Sequence, residues 1–107
     1  GQHGLARMYD NGQGVPQDFV EAVKWYRLAA EQGHAEAQAF LGEKYYKGEG
    51  VAEDDVMAYM WFNLAAARGH ETAKTNKEII EKNMTRQQIA EGQRLSREWF
   101  NEHQQDE

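Results

Sequence analysis

The chain has 107 residues, no cysteine and a formal charge of −6, which is enough length for one modest core and excludes disulfides and thiolate metal sites. Its 12 Lys and Arg are outnumbered by 18 Asp and Glu and form no basic cluster, so the electrostatic footprint of a nucleic-acid binder is missing. No stretch stays apolar for the ~20 residues that a membrane-spanning helix needs, and the absence of cysteine leaves the compartment open.

In chain order, Leu5 and Tyr9 sit on a first helix that Gly12 stops. Gly12, Gln13, Gly14, Val15 and Pro16 then read as a turn, because glycine admits the positive φ of a quick reversal. From Asp18 to Gln32, Val20, Ala22, Val23, Trp25, Tyr26, Leu28, Ala29 and Ala30 recur at helical spacing and predict a helix with a broad buried face. Asp18 and Glu21 form a capping pair at its start, and Gly33 closes its end. A shorter helix runs from Ala35 to Lys47, with Ala37, Leu41 and Tyr45 four residues apart and Gly48 as its stop.

The chain then repeats itself 36 residues on, Trp25 recurring as Trp61. Gly12, Gly14, Val15, Asp18, Ala22, Leu28, Gly33 and His34 return as Gly48, Gly50, Val51, Asp54, Ala58, Leu64, Gly69 and His70. A period in this range marks an array of helical hairpins, each unable to bury its apolar face until a neighbour stacks on it. After Ala73 the pattern thins. Thr72 to Met84 keeps only Ala73, Ile79, Ile80 and Met84 and reads as a helix buried on one side. Thr85 and Gln88 match a capping box, opening a helix from Arg86 to about Glu102 with Ile89, Leu95, Trp99 and Phe100 as its apolar residues. This pair closes the array, and His103 to Glu107 reads as a fraying acidic end.

The pattern Leu41, Gly42, Tyr45, Gly48, Gly50, Val51, Asp54, Ala58, Trp61, Leu64, Ala65, Ala66, Gly69, His70, Ala73, with its first copy through Val15, Pro16, Asp18, Ala22, Trp25, Tyr26 and Gly33, resembles the Sel-1-like repeat, a relative of the tetratricopeptide repeat. The resemblance implies an all-α, right-handed α-solenoid of antiparallel helix hairpins with a concave face that binds partners; it implies no reaction. The expected division is a first repeat over residues 1–33, a second over 34–69, a C-terminal capping helix pair over 70–104 and a tail over 105–107. Gly1 falls at the position of Ala37, inside a helix. The chain therefore reads as a fragment with at least one further hairpin before Gly1, and its first edge would offer apolar surface for end-to-end contacts.

Candidate chemistry has plainer explanations. The glycine pairs lack the third glycine, the lysine and the preceding strand of a phosphate-binding loop. His34 and His70, beside Glu36 and Glu71, lie one hairpin apart, too far to share a metal ion, and each reads as a helix start. Glu53, Asp54 and Asp55 stand where a helix N-terminus favours negative charge. Trp25, Trp61, Tyr9 and Tyr45 occupy matching places in successive repeats and read as core rather than as an aromatic ligand box. No catalytic group, metal or cofactor is expected.

Surface that varies between copies is the remaining signal. Between the packing positions of each first helix lie His3, Arg7, Asp10 and Asn11 in one copy and Ala39, Glu43, Tyr46 and Lys47 in the next. By the resemblance these face the concave side. Arg7, Asn11, Glu43, Tyr46 and Lys47 form the candidate recognition patch, Tyr46 foremost because an aromatic gains most at an interface; the alternative is that they are solvated helix residues. The resulting expectation is a non-catalytic scaffold for a protein or peptide partner. The alternatives are a purely architectural segment of a longer solenoid, or a regulatory subunit of an enzyme complex.

Overall fold

The computed structural model describes residues 1–104, and among these there are six helices and no strand: α1 Gln2–Asn11, α2 Phe19–Glu31, α3 Ala35–Lys47, α4 Asp55–Ala67, α5 Glu71–Glu81 and α6 Arg86–Gln104. The expected residues 105–107 of the tail lie outside the described residues. From α1 to α5 each helix packs against its successor, and α6 packs back onto α4.

The turns form as the repeat predicts. Gly12 and Gly48 end α1 and α3 with φ of 68° and 70°, a left-handed conformation that a side chain would disfavour. Asp18 caps α2 by accepting from the Glu21 amide at 3.1 Å, and Asp54 caps α4 by accepting from the Met57 amide at the same distance. The amides of Asp18 and Asp54 instead donate across the hairpin to the carbonyls of Tyr9 and Tyr45, each at 2.9 Å. In the first copy that bond takes the donor a reciprocal Glu21 side chain would have used, and in the second Met57 has no carboxylate to offer, so the cap is one-sided in both. The box at α6 is reciprocal: the Thr85 amide donates to Gln88 Oε1 at 2.8 Å and the Gln88 amide to Thr85 Oγ1 at 3.1 Å.

The core divides into two adjoining clusters. One gathers Ala22, Tyr26, Ala29, Ala37, Leu41 and Trp61 between the first two hairpins, and the other gathers Ala58, Tyr59, Phe62, Ala73, Ile80 and Met84 around the second. Helix α4 is buried on every side because α3, α5 and α6 all pack on it, as befits a helix apolar all round. The closing pair is splayed. Helix α6 runs along α4 rather than along α5, approaching so closely at Gly92 that a Cβ there would lie 2.6 Å from the Tyr59 ring. Tyr59 is wedged between the two, its hydroxyl 2.8 Å from Glu81 of α5 and 3.4 Å from Gln93 of α6.

The cover from α6 explains where the buried face of α2 falls short. Leu28 and Leu64 are repeat equivalents, yet Leu64 is buried and Leu28 is 40% exposed, with Val20 at 66%. Among the described residues no helix lies over α2 as α6 lies over α4. Trp25 and Trp61 differ in the same direction, Trp25 half-buried against the core and Trp61 buried, with Trp99 edge-on at 5.8 Å. At the far end His103 is helical and packed. Its ring stacks on Trp99 at 3.7 Å while Trp99 Nε1 donates to Glu31 of α2 at 2.9 Å. Ile79 and Phe100, expected among the apolar packing residues, are 46% and 51% exposed.

Candidate interaction groove

Between the first and second hairpins the space is filled. Lys44 of α3 points inward and holds Asp10 of α1 at 2.6 Å and Glu49 of the following turn at 2.9 Å. Burial works against the Lys44 charge, but the bonds and charges of Asp10 and Glu49 outweigh it and raise its pKa. Tyr26 donates to Asp10 at 3.1 Å; burial first, then the neighbouring Asp10 carboxylate, pushes its hydroxyl far above the usual range. On the other side of Tyr26, Phe40 stacks at 5.2 Å, and His3 stacks on Phe40 at 5.7 Å.

Three of the eight positions expected to face a partner are thereby taken into the packing. His3 stacks on Phe40, Asp10 is held by Lys44 and Tyr26, and Ala39 is 5% exposed. For Asp10 the cause is long-range: Lys44, a charged residue on the buried side of α3, needs an acid from α1.

Between the second hairpin and α5 the space is open. A groove of about 270 Å³ is lined by Glu43, Tyr46 and Lys47 of α3, Phe62 of α4, and Thr72, Asn76 and Ile79 of α5. Three of the five candidate residues meet here. Glu43 and Lys47 pair one helical turn apart at 3.1 Å, and Tyr46 is half-buried between the groove and the second core cluster. The other two, Arg7 and Asn11, are exposed on α1 at the repeat positions of Glu43 and Lys47 and do not line the groove. Thr72, Asn76 and Ile79 were not expected at a site, because α5 carries too few repeat residues to draw attention to its variable positions, and Phe62 of α4 is 1% exposed and shows only at the groove floor. Gly42 lets Phe62 sit under α3: a Cβ there would lie 2.7 Å from the ring.

The histidines behave as helix starts. His70 Nδ1 accepts from the Ala73 amide at 3.1 Å, while the His34 side chain makes no capping bond. No helix among the described residues is long and apolar enough to cross a membrane.

Comparison with known proteins agrees with this geometry. A model of the Sel1 repeat matches residues 1–34 and 35–70. The chain belongs to the Sel1 repeat family. Among solved structures, a protective antigen present in uropathogenic Escherichia coli strains, displaying an SLR fold, is 37% identical with a TM-score of 0.92 over 95% of this chain and 22% of its own. A Sel1 repeat protein from Oxalobacter formigenes is 45% identical with a TM-score of 0.71, over 72% of this chain and 58% of its own. The chain thus spans about a fifth and somewhat over half of these two Sel1 relatives. No curated protein sequence matches it at a significant level. Sel1 repeats are in general protein–protein interaction scaffolds and typically non-catalytic.

Proposed function

We propose that this Sel1 array is a non-catalytic module that grips a peptide or a segment of a partner protein on the side of its first helices, α1, α3 and α5. The single observation that carries the reading is the groove itself, where Glu43, Tyr46 and Lys47 meet an apolar floor. An apolar pocket with a few polar groups at its mouth is the usual form of a recognition site. Arg7 and Asn11, exposed on α1, extend the contact surface along the array. The alternative is a role as one segment of a longer solenoid, with the partner held elsewhere.

A photo-crosslinking residue at position 46, with one at exposed position 82 as control, separates these readings. Partner crosslinks from position 46 alone, and at least about a tenfold loss of affinity for the purified partner in the R7A/Y46A/K47A variant, are expected. Equal crosslinking from both positions, or unchanged affinity in a folded triple variant, would overturn the proposal in favour of the architectural role.

A further inference from the structure

The two junctions along the array are built from equivalent positions and filled differently. At the first, the Tyr26 ring is covered by Phe40, and Phe40 by His3, in a continuous stack with centroids 5.2 and 5.7 Å apart. Moved on by one repeat of 36 residues, these three positions hold Phe62, Asn76 and Ala39. The floor ring is kept and the two rings above it are gone. The groove of about 270 Å³ opens beside Asn76, the repeat position of Phe40, while Ala39 is buried in the core and does not line it; an apolar cavity of about 150 Å³ already accommodates one benzene.

The protein therefore carries its own example of what fits. Phe40 shows that the equivalent place at the first junction takes a phenyl ring, stacked on Tyr26 with an interplanar angle of 22°; at the second, Phe62 is tucked under α3 and only 1% exposed, so an entering ring would meet chiefly the walls formed by Tyr46 and Ile79. Charge points the same way. Glu43 and Lys47 at the mouth neutralise each other at 3.1 Å, and the remaining lining residues are uncharged, so the groove complements a neutral group rather than an ammonium or a carboxylate. Ile79, 46% exposed, is an uncovered apolar wall where the first junction has Glu43.

From this we infer that the groove receives one neutral aromatic side chain of the partner polypeptide, which occupies at the second junction the place Phe40 occupies at the first. The inference rests on the reading of this face as a partner-binding surface, and adds what that surface selects.

The test uses the 107-residue chain with N-acetyl-phenylalaninamide as probe, followed by methyl NMR at Ile79 and Thr72, with the leucine and alanine amides as comparisons. Saturable shifts at both methyls, about tenfold weaker with the leucine amide, are expected for the wild type. They should vanish in N76F, which supplies the ring that the first junction already has, and in I79E, an exposed change that keeps the inference testable if N76F misfolds. No saturable shift at Ile79, equal binding of the leucine amide, or retained binding in either folded variant would overturn it. If the crosslinked partner binds N76F and I79E normally but loses affinity for R7A/Y46A/K47A, only the inference falls. If the triple variant also binds normally, the functional reading falls with it.

Discussion

Lys44 and Asp10 stand 34 residues apart in sequence and 2.6 Å apart in space, and their side chains are only 8% and 13% exposed. A buried ion pair is weak evidence of net stabilisation, but removing one member leaves the other charge stranded. K44M, which installs the residue that the first copy carries as Met8, should cost about 3–5 kcal/mol, and adding D10N should restore most of it. Urea denaturation of the two variants measures this. A neutral K44M would show that Asp10 finds another partner or water.

The two repeat-equivalent tryptophans should not be equally costly to truncate. W61A opens a cavity beside Trp99 and should cost about 3–5 kcal/mol, whereas half-buried W25A should cost distinctly less. Equal losses in denaturant midpoint would contradict the cover that α6 provides.

At Gly92 α6 comes close against Tyr59 of α4. G92A gains about 1 kcal/mol of helix propensity in isolation, but its methyl meets the Tyr59 ring at 2.6 Å, and overpacking of this kind costs about 1–3 kcal/mol. The expected net result is a lowered melting temperature with faster amide exchange in α6. A raised melting temperature would mean that Tyr59 yields at no cost.

Alkaline pH should unfold the protein through its buried tyrosines. Burial, reinforced by the bond to Glu81, pushes Tyr59 up from 10.0 to about 12. Above pH 10.0 the unfolded chain loses this proton while the folded chain keeps it until about 12, so stability falls as pH rises through that window and is fully present below it. Tyr26 and Lys44 are shifted in the same direction. Denaturation midpoints across this range, with tyrosinate absorbance as the titration signal, should show Y59F losing less stability than wild type. An identical pH profile for Y59F would remove Tyr59 from the account.

Local chemistry was readable from sequence where it was decided locally. The bounds of α3 and the Thr85–Gln88 box depend on neighbours within four residues and appear as expected, whereas the Asp18 cap forms without the reciprocal Glu21 bond. Leu28 and Leu64 look identical in sequence and differ in burial because the helix that covers Leu64 arrives from about 30 residues away. Lys44 looks like a surface lysine until Asp10 is brought beside it. The groove was the hardest to foresee, since it opens beside Asn76 where the first junction has Phe40, and only the packed first junction shows what is missing.

The contact of Trp99 and His103 with Glu31 has a mechanical consequence. An array held only by adjacent units bends like a spring, its curvature the sum of small independent rotations. Here a side-chain contact from α6 reaches across to α2 as a chord spans an arc, so bending at either joint stretches that contact. Shortening or loosening it would alter the arc of the whole molecule without changing a residue inside either repeat.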